Sequence, residues 1–167
     1  MEDKKKFGFV KIILLMSIFL GIVSGVLTIC PFIGELIFWL LITVAAVVVI
    51  LFMTRLRLID IMTVRQSVVI GAIIGFVSFL AFSFVYIPAV IALAKFANYI
   101  SNPGVTIFLS HSSVGLLIML AIFMGVLSAT LNAFSGFLTF YLIEFSKSLN
   151  LNKNNDFGQF NELNIRK

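Results

Sequence analysis

The sequence contains few charged residues. Asp, Glu, Lys and Arg make up 11% of the 167 residues, and hydrophobic residues make up 61%. Soluble domains are about 25% charged and about 45–50% apolar. The mean hydropathy is +1.17. Because so few charges cannot cover the surface of a soluble domain, the composition predicts a single-domain integral membrane protein.

Cysteine is nearly absent. Cys30 is the one cysteine, which excludes a disulfide within the chain. It follows an apolar run with a basic start, as a lipoprotein signal would. Ile29, however, is larger than the residue that such a cleavage site requires before its cysteine. We therefore expect the run to be retained as a membrane span, with Cys30 a small apolar residue near the membrane surface.

Four apolar segments lack charged residues over most of their length. Each offers about 20 residues, the length a helix needs to cross a bilayer. The sequence therefore predicts an all-α, four-helix transmembrane bundle over residues 1–146, and a polar, disordered tail over 147–167. Pro88 is expected to kink or end the third span. The predicted spans are residues 8–30, 36–54, 67–94 and 114–143.

Basic residues are distributed unevenly along the chain. Eleven of the twelve Lys and Arg lie in the N-terminal segment, the second loop and the tail, whereas the first and third loops share only Lys95. Cytoplasmic loops of membrane proteins are enriched in Lys and Arg. This predicts cytoplasmic N and C termini in a multi-pass protein of the cell inner (plasma) membrane. The same placement accounts for the net charge of +5, so we expect no nucleic-acid partner.

Small and polar residues recur at helical spacing inside three of the spans. Lipid tails are as apolar as leucine, so helices in a membrane associate where small residues allow close approach and polar side chains meet. We therefore predict that these residues form a helix-packing seam, with the second span more peripheral. The packing seam comprises Ser17, Gly21, Ser24, Gly71, Gly75, Ser78, Ala121, Gly125, Ser128, Asn132, Ser135 and Thr139.

Asn132 is the most polar side chain deep within a span. An unsatisfied amide in hydrocarbon is costly, so Asn132 must face the bundle. It either makes an interhelical hydrogen bond or lines a path for a substrate or ion. His111 is the one histidine. It is interpreted as an ordinary loop residue, with a pH sensor as the alternative, and no metal site is expected around it.

The first hairpin, with "GIVSGVL" and "CPFIG", and the polar inner connection before "GAIIGFVS" resemble those of uncharacterised small bacterial four-span membrane proteins. The resemblance covers roughly residues 7–95. It implies a bacterial membrane protein with four spans, and it implies no activity and no site residue.

The spans hold no carboxylate or histidine at mid-membrane depth. A proton-coupled pump would need such groups, and a membrane enzyme would need a paired nucleophile and base or metal ligands. We therefore expect no enzyme, no catalytic residue and no cofactor. Two functions remain. The first is a non-catalytic subunit, assembly factor or regulator of a membrane complex, with a membrane-protein partner or as a homo-oligomer. The alternative is a small oligomeric transporter or channel around the polar stripe of span four.

Overall fold

The computed structural model describes residues 2–56, 63–96 and 102–165, and its side chains are described at residue 8 and over 10–56, 63–96 and 102–149. Within these ranges the chain is helical, with no strand. The helices are α1 (Glu2–Leu27), α2 (Gly34–Arg55), α3 (Val64–Phe96), α4 (Pro103–His111) and α5 (Val114–Ile165).

Four of these helices are long and apolar enough to cross a membrane. The qualifying stretches are Val10–Leu27, Gly34–Arg55, Val64–Phe96 and Val114–Leu149, with mean hydropathies of 2.5 to 3.1. The prediction of an all-helical chain with four candidate spans is confirmed. The observed third and fourth stretches extend past the predicted ends at residues 94 and 143, because both helices continue through the polar residues that follow.

Local sequence sets the start of α4 and of α5. The Asn102 side chain accepts a hydrogen bond from the backbone N–H of Val105 at 3.3 Å, and Pro103 takes the first helical position. The hydroxyl of Ser113 accepts from the backbone N–H of Leu116 at 3.3 Å. Each cap satisfies an N–H that has no partner within its own helix. The loop between the third and fourth spans therefore contains a short helix of its own.

Pro88 lies inside α3, and the helix continues past it to Phe96. Of the two expected effects of Pro88, a kink or an end of the third span, the end is therefore wrong; the kink stays a prediction. In a membrane helix a backbone group freed by proline can be satisfied by neighbouring helices and side chains, so the helix can continue.

The two central helices are α2 and α3. Both contact α1 and α5, and they contact each other, so α1 and α5 occupy opposite corners of the bundle; α4 packs on α3. The expectation that the second span is peripheral is wrong, since Ala46, Ile50 and Met53 of α2 are at most 1% exposed. That expectation counted only small and polar residues, whereas the large apolar side chains of α2 fill the core between α1 and α3.

The polar segment that follows the fourth span continues α5 as a helix to Ile165. The sequence predicts a disordered tail over residues 147–167, whereas the structure has a helix up to residue 165. Residues 166 and 167 lie outside the described part of the chain. A helix of 52 residues at about 1.5 Å per residue is roughly 78 Å long. This exceeds the thickness of a bilayer, about 40–45 Å, so α5 is longer than a membrane crossing requires.

A substitution at Gly21 tests the contact between α1 and α3. A Cβ atom at this position would lie within 3.0 Å of backbone atoms of Ser78 and Phe82 and 2.8 Å from the Cβ of Ala81. The helices must then separate, and we expect Gly21→Ala to lower the free energy of unfolding by about 1–3 kcal/mol. Thermal unfolding in mild detergent measures this effect. Gly115→Ala is the matched control, since a Cβ there meets nothing within 4 Å. Equal stability of the two variants would contradict the close approach of α1 to α3.

Candidate functional site

The side chain of Asn132 on α5 is fully buried, with 0% exposure, and it reaches the backbone of α2. Its Oδ1 accepts a hydrogen bond from the backbone N–H of Ala46 at 2.7 Å. Its Nδ2 donates to the carbonyl oxygen of Ile42 at 2.7 Å and approaches that of Leu41 at 3.3 Å. Asn132 therefore uses both its donor and its acceptor on one turn of α2.

The two main partners of Asn132 are one helical turn apart. In an α-helix the N–H of one residue pairs with the carbonyl four residues earlier, so the N–H of Ala46 and the carbonyl of Ile42 are a natural pair. A carboxamide has the same donor and acceptor as a peptide group. The side chain of α5 thus joins the hydrogen-bond ladder of α2, and the contact depends on the geometry of the α2 backbone rather than on a particular α2 side chain.

A small side chain on α2 makes this contact possible. Ala45 and Ala46 are 2% and 0% exposed, and the single methyl group of Ala46 leaves the backbone of this turn accessible to a side chain from α5. A larger residue at Ala46 would crowd the carboxamide of Asn132, which bonds to the N–H of this residue at 2.7 Å. Ala46 therefore forms the α2 side of the site, and Ala45 lines a neighbouring pocket that also contains Ser24 of α1.

A chain of hydrogen bonds continues from Asn132 to α3. Nδ2 of Asn132 also donates to the backbone carbonyl of Ser128 at 3.0 Å and lies 3.3 Å from the Ser128 hydroxyl. That hydroxyl donates to the carbonyl of Gly75 on α3 at 3.0 Å. The hydroxyl of Ser78 donates to the same carbonyl at 3.3 Å. One polar network therefore connects α2, α5 and α3 inside the apolar bundle.

Glycine allows α3 and α5 to meet backbone against backbone. A Cβ atom at Gly75 would lie 2.7 Å from the Cβ of Asn132, and a Cβ at Gly136 would lie 2.6 Å from the carbonyl oxygen of Ser67. The hydroxyl of Ser67 in turn donates to the carbonyl of Gly136 at 3.2 Å. A Cβ at Gly71 would collide with the backbone carbonyl of Asn132. The polar network of Asn132 therefore lies at the point where α3 and α5 approach most closely.

The remaining seam residues divide between the two sides of α3. On the α5 side, the Ser135 hydroxyl donates to the carbonyl of Thr43 on α2, and that of Thr139 donates to the Ser135 carbonyl at 2.7 Å. On the α1 side, the Ser17 hydroxyl donates to Ile13 of its own helix at 2.7 Å. Ten of the twelve seam residues are buried and two are half-buried. The buried ones are Ser17, Gly21, Ser24, Gly71, Gly75, Ser78, Gly125, Ser128, Asn132 and Thr139; Ala121 and Ser135 are half-buried.

His111 lies apart from this network, exposed at the end of α4. Its Nδ1 is 3.1 Å from the Ser110 hydroxyl and 3.0 Å from the carbonyl of Ile107. Cys30 is also exposed. Over the described ranges, no three His, Cys, Asp or Glu residues are grouped as they would be to hold a metal ion.

No known protein family matches the chain, and no curated protein or solved structure is significantly similar to it.

A substitution at Asn132 tests the polar network. In Asn132→Leu the N–H of Ala46 and the carbonyl of Ile42 lose their α5 partner, and the Ser128 hydroxyl loses a donor. Interhelical hydrogen bonds in membranes average about 0.6 kcal/mol each, and forcing the larger leucine side chain into the space that the carboxamide fills costs about 1–3 kcal/mol. We therefore expect a loss of about 1–3 kcal/mol in the free energy of unfolding.

Unfolding in a graded denaturing detergent measures this loss. Thr130→Val is the matched control on the same helix, because the Thr130 side chain is exposed and its hydroxyl bonds only to Leu127 of α5. An Asn132→Leu variant as stable as this control would show that the carboxamide does not hold α5 to α2.

Proposed function

We propose that the protein is a non-catalytic membrane protein that acts as a subunit, assembly factor or regulator of a larger membrane complex. The proposal rests on the burial and the hydrogen bonding of the Asn132 side chain. Its donor and acceptor are both used on neighbouring helices, and none of its surface is exposed. This supports the interpretation in which the polar stripe of span four holds the bundle together.

The alternative function, a transporter or channel, requires polar groups that line a path and exchange hydrogen bonds with a passing solute. Within α5 the candidates are Ser128, Asn132 and Thr139, each at most 1% exposed. A further candidate, Ser135, is half-buried, and its hydroxyl donates to the carbonyl of Thr43 on α2. Their hydroxyl and amide groups bond to carbonyls of α5, α2 and α3. These contacts favour the structural role of the stripe over transport.

The surface of α5 is available to a partner. Only 17% of the residues in the apolar stretch of α5 are buried in the bundle, compared with 44% in the apolar stretch of α3. Its exposed face carries large apolar side chains, among them Phe123, Phe134 and Phe145. A helix that places its polar groups inward and an apolar face outward is suited to contact another membrane-spanning helix or lipid.

The test is purification of the tagged full-length protein from its native membrane in mild detergent, followed by native mass spectrometry. We expect a companion protein in fixed stoichiometry, and less of it with Asn132→Leu than with the Thr130→Val control, because a loosened bundle presents its surface poorly. A homo-oligomer without a companion, whose solute flux in vesicles is abolished by Asn132→Leu while assembly is unchanged, would contradict the proposal and support the transporter.

We also propose that both termini face the cytoplasm and that the membrane is a bacterial inner membrane. The distribution of Lys and Arg supports this orientation. Arg55 and Arg65 are exposed at the ends of α2 and α3 that face the second loop, whereas Cys30 is exposed in the first loop.

The single cysteine allows a direct test of orientation. In intact cells with a permeabilised outer envelope, we expect a membrane-impermeant maleimide to label the native Cys30. In the double variant Cys30→Ser and Ser148→Cys, labelling should require disruption of the inner membrane, because Ser148 is exposed on the opposite side of the bundle. The reverse pattern would place the termini outside.

A further inference from the structure

A groove lies between α3 and α5, towards the C-terminal end of α3 and the N-terminal end of α5, away from their close crossing. It has a volume of about 640 Å³, within the range of roughly 300–1,000 Å³ that is typical of small-molecule sites. Leu80, Ile87 and Ile91 of α3 face Leu117 and Ala121 of α5 across it. No charged side chain lines the groove, so a charged ligand group would find no counter-charge there.

Ser83 is a buried residue on the groove wall, 7% exposed, and its hydroxyl oxygen is not itself fully enclosed by protein. The other serines of α3, Ser67 and Ser78, donate to backbone carbonyls, whereas within the described ranges the hydroxyl of Ser83 makes no hydrogen bond. A hydroxyl in apolar surroundings without a partner is unfavourable, so this group has unused capacity to bind a ligand.

Pro88 leaves one backbone carbonyl without its usual donor, in a residue that also lines the groove. Pro88 has no N–H, so the carbonyl of Phe84, four residues earlier, lacks its usual helical donor. Both residues line the groove. The wall thus offers a hydroxyl, which can donate or accept, and a carbonyl, which can only accept, inside an otherwise apolar space.

The groove opens onto the surface that faces lipid. Phe84 and Ile118 at its edges are 83% and 56% exposed. Ser83 lies 13 residues before the end of α3, which is about 20 Å along the helix axis. A ligand would therefore enter sideways from the hydrocarbon region rather than from water.

We propose that this groove binds a long-chain alcohol, a neutral aliphatic molecule with one hydroxyl group. The chain lies against the apolar side chains of α3 and α5. The ligand hydroxyl accepts a hydrogen bond from Ser83 and donates one to the carbonyl of Phe84. An alcohol satisfies both protein groups, whereas an ether satisfies only Ser83 and an alkane satisfies neither.

The test uses the full-length protein in nanodiscs of dioleoylphosphatidylcholine and a 16-carbon alcohol that carries a photoreactive diazirine in its chain. We expect crosslinks to map by mass spectrometry to residues 80–91 and 114–122. Unlabelled 1-hexadecanol should compete roughly tenfold better than hexadecyl methyl ether, which corresponds to one net hydrogen bond. Hexadecane should compete least.

Two variants and one control separate specific binding from filling of the groove by bulk lipid. Ser83→Ala removes one of the two hydrogen bonds of the alcohol, so its advantage over hexadecane should fall and the ether should compete no better than hexadecane. Ala121→Leu should reduce crosslinking by filling the groove. Ser24→Ala should leave both unchanged, since Ser24 lines a separate 200 Å³ pocket beside α2. Crosslinks outside the groove, equal competition by hexadecane, or an unchanged preference for the alcohol over hexadecane in Ser83→Ala would each overturn the proposal.

Discussion

The arrangement of this bundle depends on one carboxamide that binds the backbone of a neighbouring helix. In hydrocarbon the hydrophobic effect does not hold helices together, so a polar contact inside the bundle contributes a large part of the interaction between two helices. Asn132 places its donor and acceptor on Ile42 and Ala46 at 2.7 Å each. Because these atoms belong to the backbone, the contact fixes both the rotation and the axial position of α5 against α2.

The polar network around Asn132 also requires the close crossing of α3 and α5. Gly71 and Gly75 leave no space for even a Cβ atom next to Asn132. If α3 were farther away, the Ser128 hydroxyl could not reach the carbonyl of Gly75 at 3.0 Å. Steric fit and hydrogen bonding are therefore coupled, and a change at either glycine acts on the polar network as well as on packing.

The four candidate spans and the inward position of Asn132 follow from the sequence, because hydropathy and the cost of an unpaired amide depend on residue type alone. The role of α2 does not. Its contribution is a stretch of backbone that Ala46 leaves exposed, and backbone groups are identical at every position of a sequence. The groove at Ser83 is equally invisible in the sequence, since it depends on where α3 and α5 separate.

The pairing of Asn132 with Ala46 joins residues 86 positions apart. At a synthesis rate of about 5–20 residues per second, α2 leaves the ribosome on the order of ten seconds before its partner. The third helix is synthesised within that interval, so α1, α2 and α3 all precede the helix that carries Asn132. Asn132 enters last, as an amide that hydrocarbon solvates poorly, and the exposed turn of α2 is ready to receive it. Because α2 is synthesised before α5, the backbone turn that binds Asn132 is formed first. Asn132 then gains hydrogen bonds by packing against that turn.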